Sequence, residues 1–184
     1  MPRWNNKDLI VYHGTDSISA NATTLAVGSA IPFLPNLALC VPNTDFGQGF
    51  YVTTHLHQAK QWANVKVLRA RPNANLFAVV IGFTISRDWL ASLDNLAFVR
   101  PTSDFWDLVI DCRLGFAPHQ RVPPQPRPYD VVHGPVTIWG QTLTIQDCDQ
   151  ISFHTRRAVS GLSRAHLEET ARNLTPGDDF FPYQ

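Results

Sequence analysis

The chain has 184 residues, 44% hydrophobic and 16% charged, with 15 basic side chains balancing 15 acidic ones. That describes a globular chain of one domain with room for a substantial core, and it excludes the overall basic excess of a typical nucleic-acid binder. A local pair such as Arg156 and Arg157 can still steer a polyanion.

Three widely spaced cysteines, Cys40, Cys112 and Cys148, form neither a C-x-x-C metal spacing nor a disulfide framework, and read as reduced thiols. The longest apolar run, LFAVVIGF from Leu76, is far shorter than the ~20 residues of a membrane-crossing helix. The opening MPRWNNKDL lacks the apolar core of a cleavable leader. The expectation is a cytoplasmic protein without a membrane partner, delivered by another route if it acts inside a target cell.

In chain order, DLIVYHG (Asp8 to Gly14) reads as a buried strand ended by glycine. A long Asn-, Ala-, Thr- and Pro-rich connection follows, of a length that is often functional. GFYVTT is a second strand, and Thr54 is placed to cap a helix, HLHQAKQWANVKV, with Leu56, Ala59, Ala63 and Val67 on one face. NLFAVVIGFT is the clearest buried strand, and SRDWLASLD is helical with Ser86 as cap.

DFWDLVIDCRLG is ambiguous; Phe105, Leu108, Val109 and Cys112 fit a helical face, and Gly115 fits a stop. Five prolines between Pro118 and Pro128 predict an extended loop. YDVVHGPV reads as a strand leading to a hairpin-like region at Trp139 and Gly140, and DQISFHT as a final alternating strand. SRAHLEETARN is predicted helical, and an acidic, aromatic tail ends the chain. Strands and helices without regular β-α-β alternation make the class α+β, a single domain over 1–184.

Alternation along the strands selects the candidate functional side chains. In DQISFHT, Gln150, Ser152 and His154 share a polar face, expected to line solvent or a cleft, while Ile151 and Phe153 face the core. His13 sits at the end of its strand, where the Gly14 N–H and C=O would be open to a ligand amide. Tyr51 and Thr53 lie opposite Phe50 and Val52. Gly47 and Gly49 allow the chain to turn into that strand, and Gln48 reads as an incidental surface residue.

YHGT, DFGQGFYVTT followed by a helix with QAKQWA, YDVVHGPV and DQISFHT occur in that order. Together they resemble the ADP-ribosyltransferase superfamily, in its His–Tyr–[Glu/Gln] branch of diphtheria-toxin-like and poly(ADP-ribose)-polymerase-like enzymes. The pattern is similar to a bacterial family of ADP-ribosyltransferase-like domains marked by HG…DFGxGFYxT…YDxVxGP…QIxFHT. The resemblance covers a motif core of about 8–155, leaving a C-terminal helix and tail over 156–184.

The resemblance implies a split β-sandwich with flanking helices and a central NAD cleft, NAD as co-substrate, and no metal. It implies that His13 hydrogen-bonds the adenosine ribose and that Gly14 holds the nicotinamide carboxamide through its backbone. Tyr51 would stack on the nicotinamide ring, Trp62 would close it from behind, and Gln150 would reach the nicotinamide ribose. Thr15, Phe46, Gly47, Thr53 and Ser152 complete the expected NAD-binding set. A flat cationic ring suits aromatic contact, and a carboxamide suits a backbone donor–acceptor pair.

Better-studied relatives carry glutamate where this chain has Gln150, so chain elongation is disfavoured and single ADP-ribose transfer is expected. Asp147 or Asp149 is a candidate compensating carboxylate, although Asp149 should face the other way, and Asp45 is expected to shape a loop over NAD. Read alone, Tyr51 and His13 would be core residues and Trp62 a packing residue. His55 and His57 lack a ligand partner at metal spacing.

The activity expected is mono-ADP-ribosylation by a toxin, effector or toxin–antitoxin component. The acceptor would be a macromolecule, a protein rather than nucleic acid, and a cognate antitoxin or immunity protein is a further partner in this scheme. The alternatives are a non-catalytic binding module of the same fold, an NAD glycohydrolase, and an RNA-directed transferase.

Overall fold

The computed structural model describes residues 6–20, 35–70, 75–116, 128–174 and 178–183. Most of the long Asn-, Ala-, Thr- and Pro-rich connection, Ser17–Asn43, and of the proline-rich loop, Pro118–Pro128, lies outside the described residues. The elements begin with β1 (Leu9–Asp16), β2 (Phe50–Val52), α1 (Leu56–Ala70), β3 (Ala78–Ile85), α2 (Arg87–Ser92) and β4 (Asn95–Ala97). They continue with α3 (Ser103–Arg113), β5 (Val131–Thr137), β6 (Thr144–Phe153), α4 (Arg156–Val159), β7 (Ser163–Thr170) and α5 (Ala171–Leu174).

The class is α+β, with one sheet ordered β1-β3-β7 and a second ordered β2-β6-β5-β4. The chain divides into two compact units, each assembled from separated segments. Unit 1 comprises Met1–Phe33, Val52–Ile85 and Leu162–Gln184; unit 2 comprises Leu34–Tyr51 and Ser86–Gly161.

In unit 1, the apolar run of β3 is the central strand, antiparallel to both neighbours, and all but one of its residues are buried. Such a run suits a strand covered on both faces. Helix α1 packs on this sheet through Ala59, Ala63 and Val67, as its spacing predicts, with Leu56 partly buried beside them. Gly14 does not end β1, contrary to the sequence expectation. It pairs with Val80, and the strand continues to Asp16. A Cβ at position 14 would stand 2.0 Å from the Ala59 carbonyl oxygen, so only glycine lets the α1 backbone come this close.

The predicted helix SRAHLEETARN is corrected: Ser163–Thr170 forms β7, and only Ala171–Leu174 is helical. The segment has side chains that suit a helix, but the open edge of β3 offers a ladder of hydrogen-bonding groups, and tertiary pairing overrides propensity. The tail is also more than an appendage. Phe181 is fully buried against α1, and the Asn64 amide both donates to the Phe181 carbonyl at 2.9 Å and accepts from its N–H at 2.8 Å.

In unit 2, DFWDLVIDCR resolves as the helix α3, with Phe105, Leu108, Val109 and Cys112 buried and Gly115 at positive φ just past its end. Ser86 caps α2 by accepting from the Trp89 N–H, as expected. The α3 face packs with Phe46 and Val132 into an aromatic-rich core. Strand β5 pairs antiparallel with β6 and parallel with β4, and the turn between β5 and β6 contains Trp139 and Gly140.

Candidate functional site

The candidate residues fall into two groups, one in each unit. In unit 1, Tyr12 donates from its N–H to the Thr53 carbonyl at 2.8 Å and accepts from the Thr53 N–H at 2.9 Å. Tyr12 therefore turns its backbone groups away from β3, and alternation turns those of Gly14 the same way. Gly14 thus presents one N–H and one C=O along the outer edge of β1, while helix α1 covers the place of its missing side chain.

His13 lies between them, partly buried, on the same strand face as the buried Val11 and Thr15. Thr53 is buried; its hydroxyl donates to Gln58 Oε1 at 2.9 Å and accepts from the His55 N–H at 3.0 Å, ordering the entry to α1. Trp62 projects from the exposed face of α1, 45% accessible, with the Arg69 guanidinium 5.4 Å from its ring.

In unit 2 the run Thr44 to Tyr51 folds back on itself. Gly47 takes φ 79°, a conformation that disfavours any Cβ. The Tyr51 hydroxyl donates to the Gly47 carbonyl at 2.9 Å, accepts from the Phe46 N–H at 2.8 Å, and lies 2.8 Å from Thr44 Oγ1. Burial holds this hydroxyl well above its ordinary value of 10.0, so it stays protonated and serves as a strut rather than an acid.

Phe46 lies nearly parallel to the Tyr51 ring at 6.3 Å and is completely buried. Its expected place among NAD-binding residues is corrected: its side chain supports Tyr51 from the core and has no surface to offer a ligand. Phe50 and Val52 are buried, as alternation predicts. Gln48 is exposed, as expected, but it is not incidental. Its amide donates to the carbonyls of Leu37 at 3.2 Å and Cys40 at 3.0 Å, fastening the 3-10 turn at Leu37–Leu39.

The polar face of β6 is not open, contrary to expectation. Ser152 is completely buried and Gln150 is 9% exposed. This part of the β6 face is covered by the Thr44–Tyr51 run, whose Asp45 bonds Gln150 and whose Gly49 lies against Ser152. A Cβ on Gly49 would lie 2.3 Å from Ser152 Oγ and 2.8 Å from the His154 ring, so Ser152 packs under the glycine and its expected ligand contact is withdrawn.

Gln150 instead donates from Nε2 to Asp45 Oδ2 at 2.8 Å and to the Pro135 carbonyl at 3.0 Å. The carboxylate beside Gln150 is therefore Asp45, a hundred residues earlier, while Asp147 is exposed and Asp149 lies 3.9 Å from His133.

Sequence reasoning passed over Arg113 and Thr137. Arg113 donates to Asp45 Oδ1 from Nε at 3.1 Å and from Nη2 at 2.8 Å, and also bonds Thr137, whose hydroxyl donates to Asp45 Oδ2 at 2.6 Å. The only hint was a basic residue in the last turn of a helix whose other charged side chains, Asp104, Asp107 and Asp111, are all acidic. Thiol chemistry finds no support here: burial pushes Cys112 up to about 12 and Cys148 upward too, away from the reactive thiolate. Among the described residues no group of three or more His, Cys, Asp or Glu is placed to hold a metal ion, and no helix is long and apolar enough to cross a membrane.

No curated protein and no solved structure matches this chain. A family model described as a protein of unknown function (DUF3990) matches residues 9–138, a span that includes His13, Gly14 and Tyr51 and stops before Gln150. Since that span is most of the sequence, the chain belongs to the DUF3990 family.

Proposed function

We propose that this chain is an NAD-dependent mono-ADP-ribosyltransferase with an ADP-ribosyltransferase-like split β-sandwich. The observation that carries the reading is Gly14, whose N–H and C=O lie together along the outer edge of β1 beside the Tyr12–Thr53 bridge. A carboxamide offers one acceptor and two donors, so it complements such a pair from a single residue.

In this reading His13 holds the adenosine ribose, the Tyr51 ring stacks on nicotinamide, and the Gln150 carbonyl oxygen accepts from a hydroxyl of the nicotinamide ribose. The bond from ribose C1′ to the nicotinamide nitrogen breaks with its electron pair leaving on neutral nicotinamide. The oxocarbenium-like carbon is captured by an oxygen or nitrogen of the acceptor, which loses its proton. Positioning and a polar group aimed at developing positive charge supply the acceleration.

The test is incubation of purified protein with labelled NAD and a cell extract, followed by protease or nuclease treatment. Label removed by protease and retained after nuclease is the expected result. Nuclease-sensitive label moves the acceptor to nucleic acid, and free ADP-ribose alone moves it to water. Tyr51→Ala should weaken NAD binding. Gln150→Ala should slow turnover by roughly 3 kcal/mol of barrier, the scale of one lost transition-state hydrogen bond. If the intact protein neither binds nor consumes NAD, the reading is overturned.

A further inference from the structure

Asp45 opens the glycine-aromatic run, yet its carboxylate is directed at Arg113, Thr137 and Gln150, accepting four hydrogen bonds. The ion pair is mostly shielded, with side-chain exposures of 15% for Arg113 and 12% for Asp45, and the guanidinium lies 4.5 Å from the Trp139 ring. Gln150 sits against two groups that can only accept, Asp45 Oδ2 at 2.8 Å and the Pro135 carbonyl at 3.0 Å. Only the amide nitrogen can face them, so the amide is held in one orientation with Oε1 turned the other way.

We propose that Asp45 is a positioning residue that fixes the Gln150 amide with its carbonyl oxygen as the presented acceptor, and that it makes position 150 a site for glutamine and not glutamate. The part of this that concerns a sugar hydroxyl rests on the transferase reading above; the pairing itself does not. A glutamate at position 150 would set a second carboxylate oxygen against Asp45 and the Pro135 carbonyl with no proton between them. Replacing Gln150 with the residue of the better-studied relatives should therefore damage this protein.

The experiment compares wild type, Gln150→Glu and Asp45→Asn in the full chain, by thermal denaturation from pH 5 to 8 and by NAD turnover. An introduced carboxyl facing Asp45 has a folded-state pKa raised above its unfolded value. Its deficit is then small at low pH, where a shared proton restores the donor, and grows as pH rises through the folded pKa. The expected result is a Tm for Gln150→Glu near wild type at pH 5 and several degrees lower at pH 8. Asp45→Asn, which turns one of the two accepting oxygens into an NH2 donor facing either Arg113 or the Gln150 amide, should lower kcat by tenfold or more with KM for NAD changed less than threefold.

A Gln150→Glu variant as stable as wild type across the range overturns the pairing. Equal loss in kcat and rise in KM for a folded Asp45→Asn overturns the positioning role. If wild type consumes no NAD, the transferase reading falls, and the pH-dependent stability difference still decides the pairing.

Discussion

A methyl group at position 14 would put carbon 2.0 Å from the Ala59 carbonyl oxygen and 2.9 Å from the Ala63 nitrogen. Both are backbone atoms of α1, so neither can rotate aside, and the helix must lift from the sheet. Gly14→Ala should therefore destabilise the protein by about 2–3 kcal/mol, as overpacking of a tight interface does; urea denaturation measures it, and a change within experimental error would show that α1 is free to shift. The same glycine is the residue proposed to hold the nicotinamide carboxamide, so the structural role and the proposed one must be separated. A structural role predicts loss of stability with NAD at saturation or without it; a binding role adds a loss of NAD affinity in whatever fraction remains folded. Sequence alone pointed to Gly14 through its place after His13, and the reason it must be glycine, the helix backbone pressed against it, came from tertiary packing.

At the scale of elements, Asn64 ties α1 to the tail by hydrogen bonds, beside the apolar packing of Phe181. Asn64 is completely buried on the α1 face and exchanges two hydrogen bonds with the backbone of Phe181. Lys60, one turn earlier, lies 5.6 Å from the Phe181 ring and forms an ion pair with Glu169 at 2.8 Å. Replacing Asn64 with leucine keeps the volume but strands a buried N–H and a buried C=O. The expected cost is about 3 kcal/mol, since each unsatisfied buried group costs about 1–3 kcal/mol. Limited proteolysis should then cut the tail at a protein concentration and time that leave wild type intact; an uncut tail would mean that Phe181 burial suffices without the amide. The helix face Ala59, Ala63 and Val67 was legible from spacing, whereas Asn64 beside them was not, because its partner is 117 residues away.

For the whole molecule, stability should respond to pH through β7. His166 Nδ1 lies 2.8 Å from the Arg164 carbonyl and Nε2 lies 2.7 Å from Glu168 Oε2. Both partners are acceptors, so the ring is favoured with a proton on each nitrogen. The backbone hydrogen bond to Arg164 foremost, aided by Glu168, raises its pKa above the ordinary 6.5. A folded pKa above the unfolded one means that the folded state binds this proton more tightly. The contribution is then present in full below about pH 6.5 and is lost as pH rises through the higher folded value. The difference in Tm between wild type and His166→Gln should be largest at low pH and shrink above neutrality; a difference that does not vary with pH would remove His166 from the titrating groups. The site is half exposed, so the effect is a modest slope rather than a transition.

What the sequence by itself determined is local and periodic. The buried run of β3, the apolar faces of α1 and α3, the Ser86 cap and the α+β class follow from spacing and from side chains that act within a few residues of themselves. What only the tertiary structure decided is every feature whose partners are distant in the chain. Ser163–Thr170 became a strand because β3 had an open edge, the polar face of β6 was buried because the Thr44–Tyr51 run lies over Gln150 and Ser152, and Gln150 found its carboxylate in Asp45. Periodicity reports which side a residue faces, but not what will be waiting there, since burial and hydrogen-bond partners are set by chain segments that no local window contains.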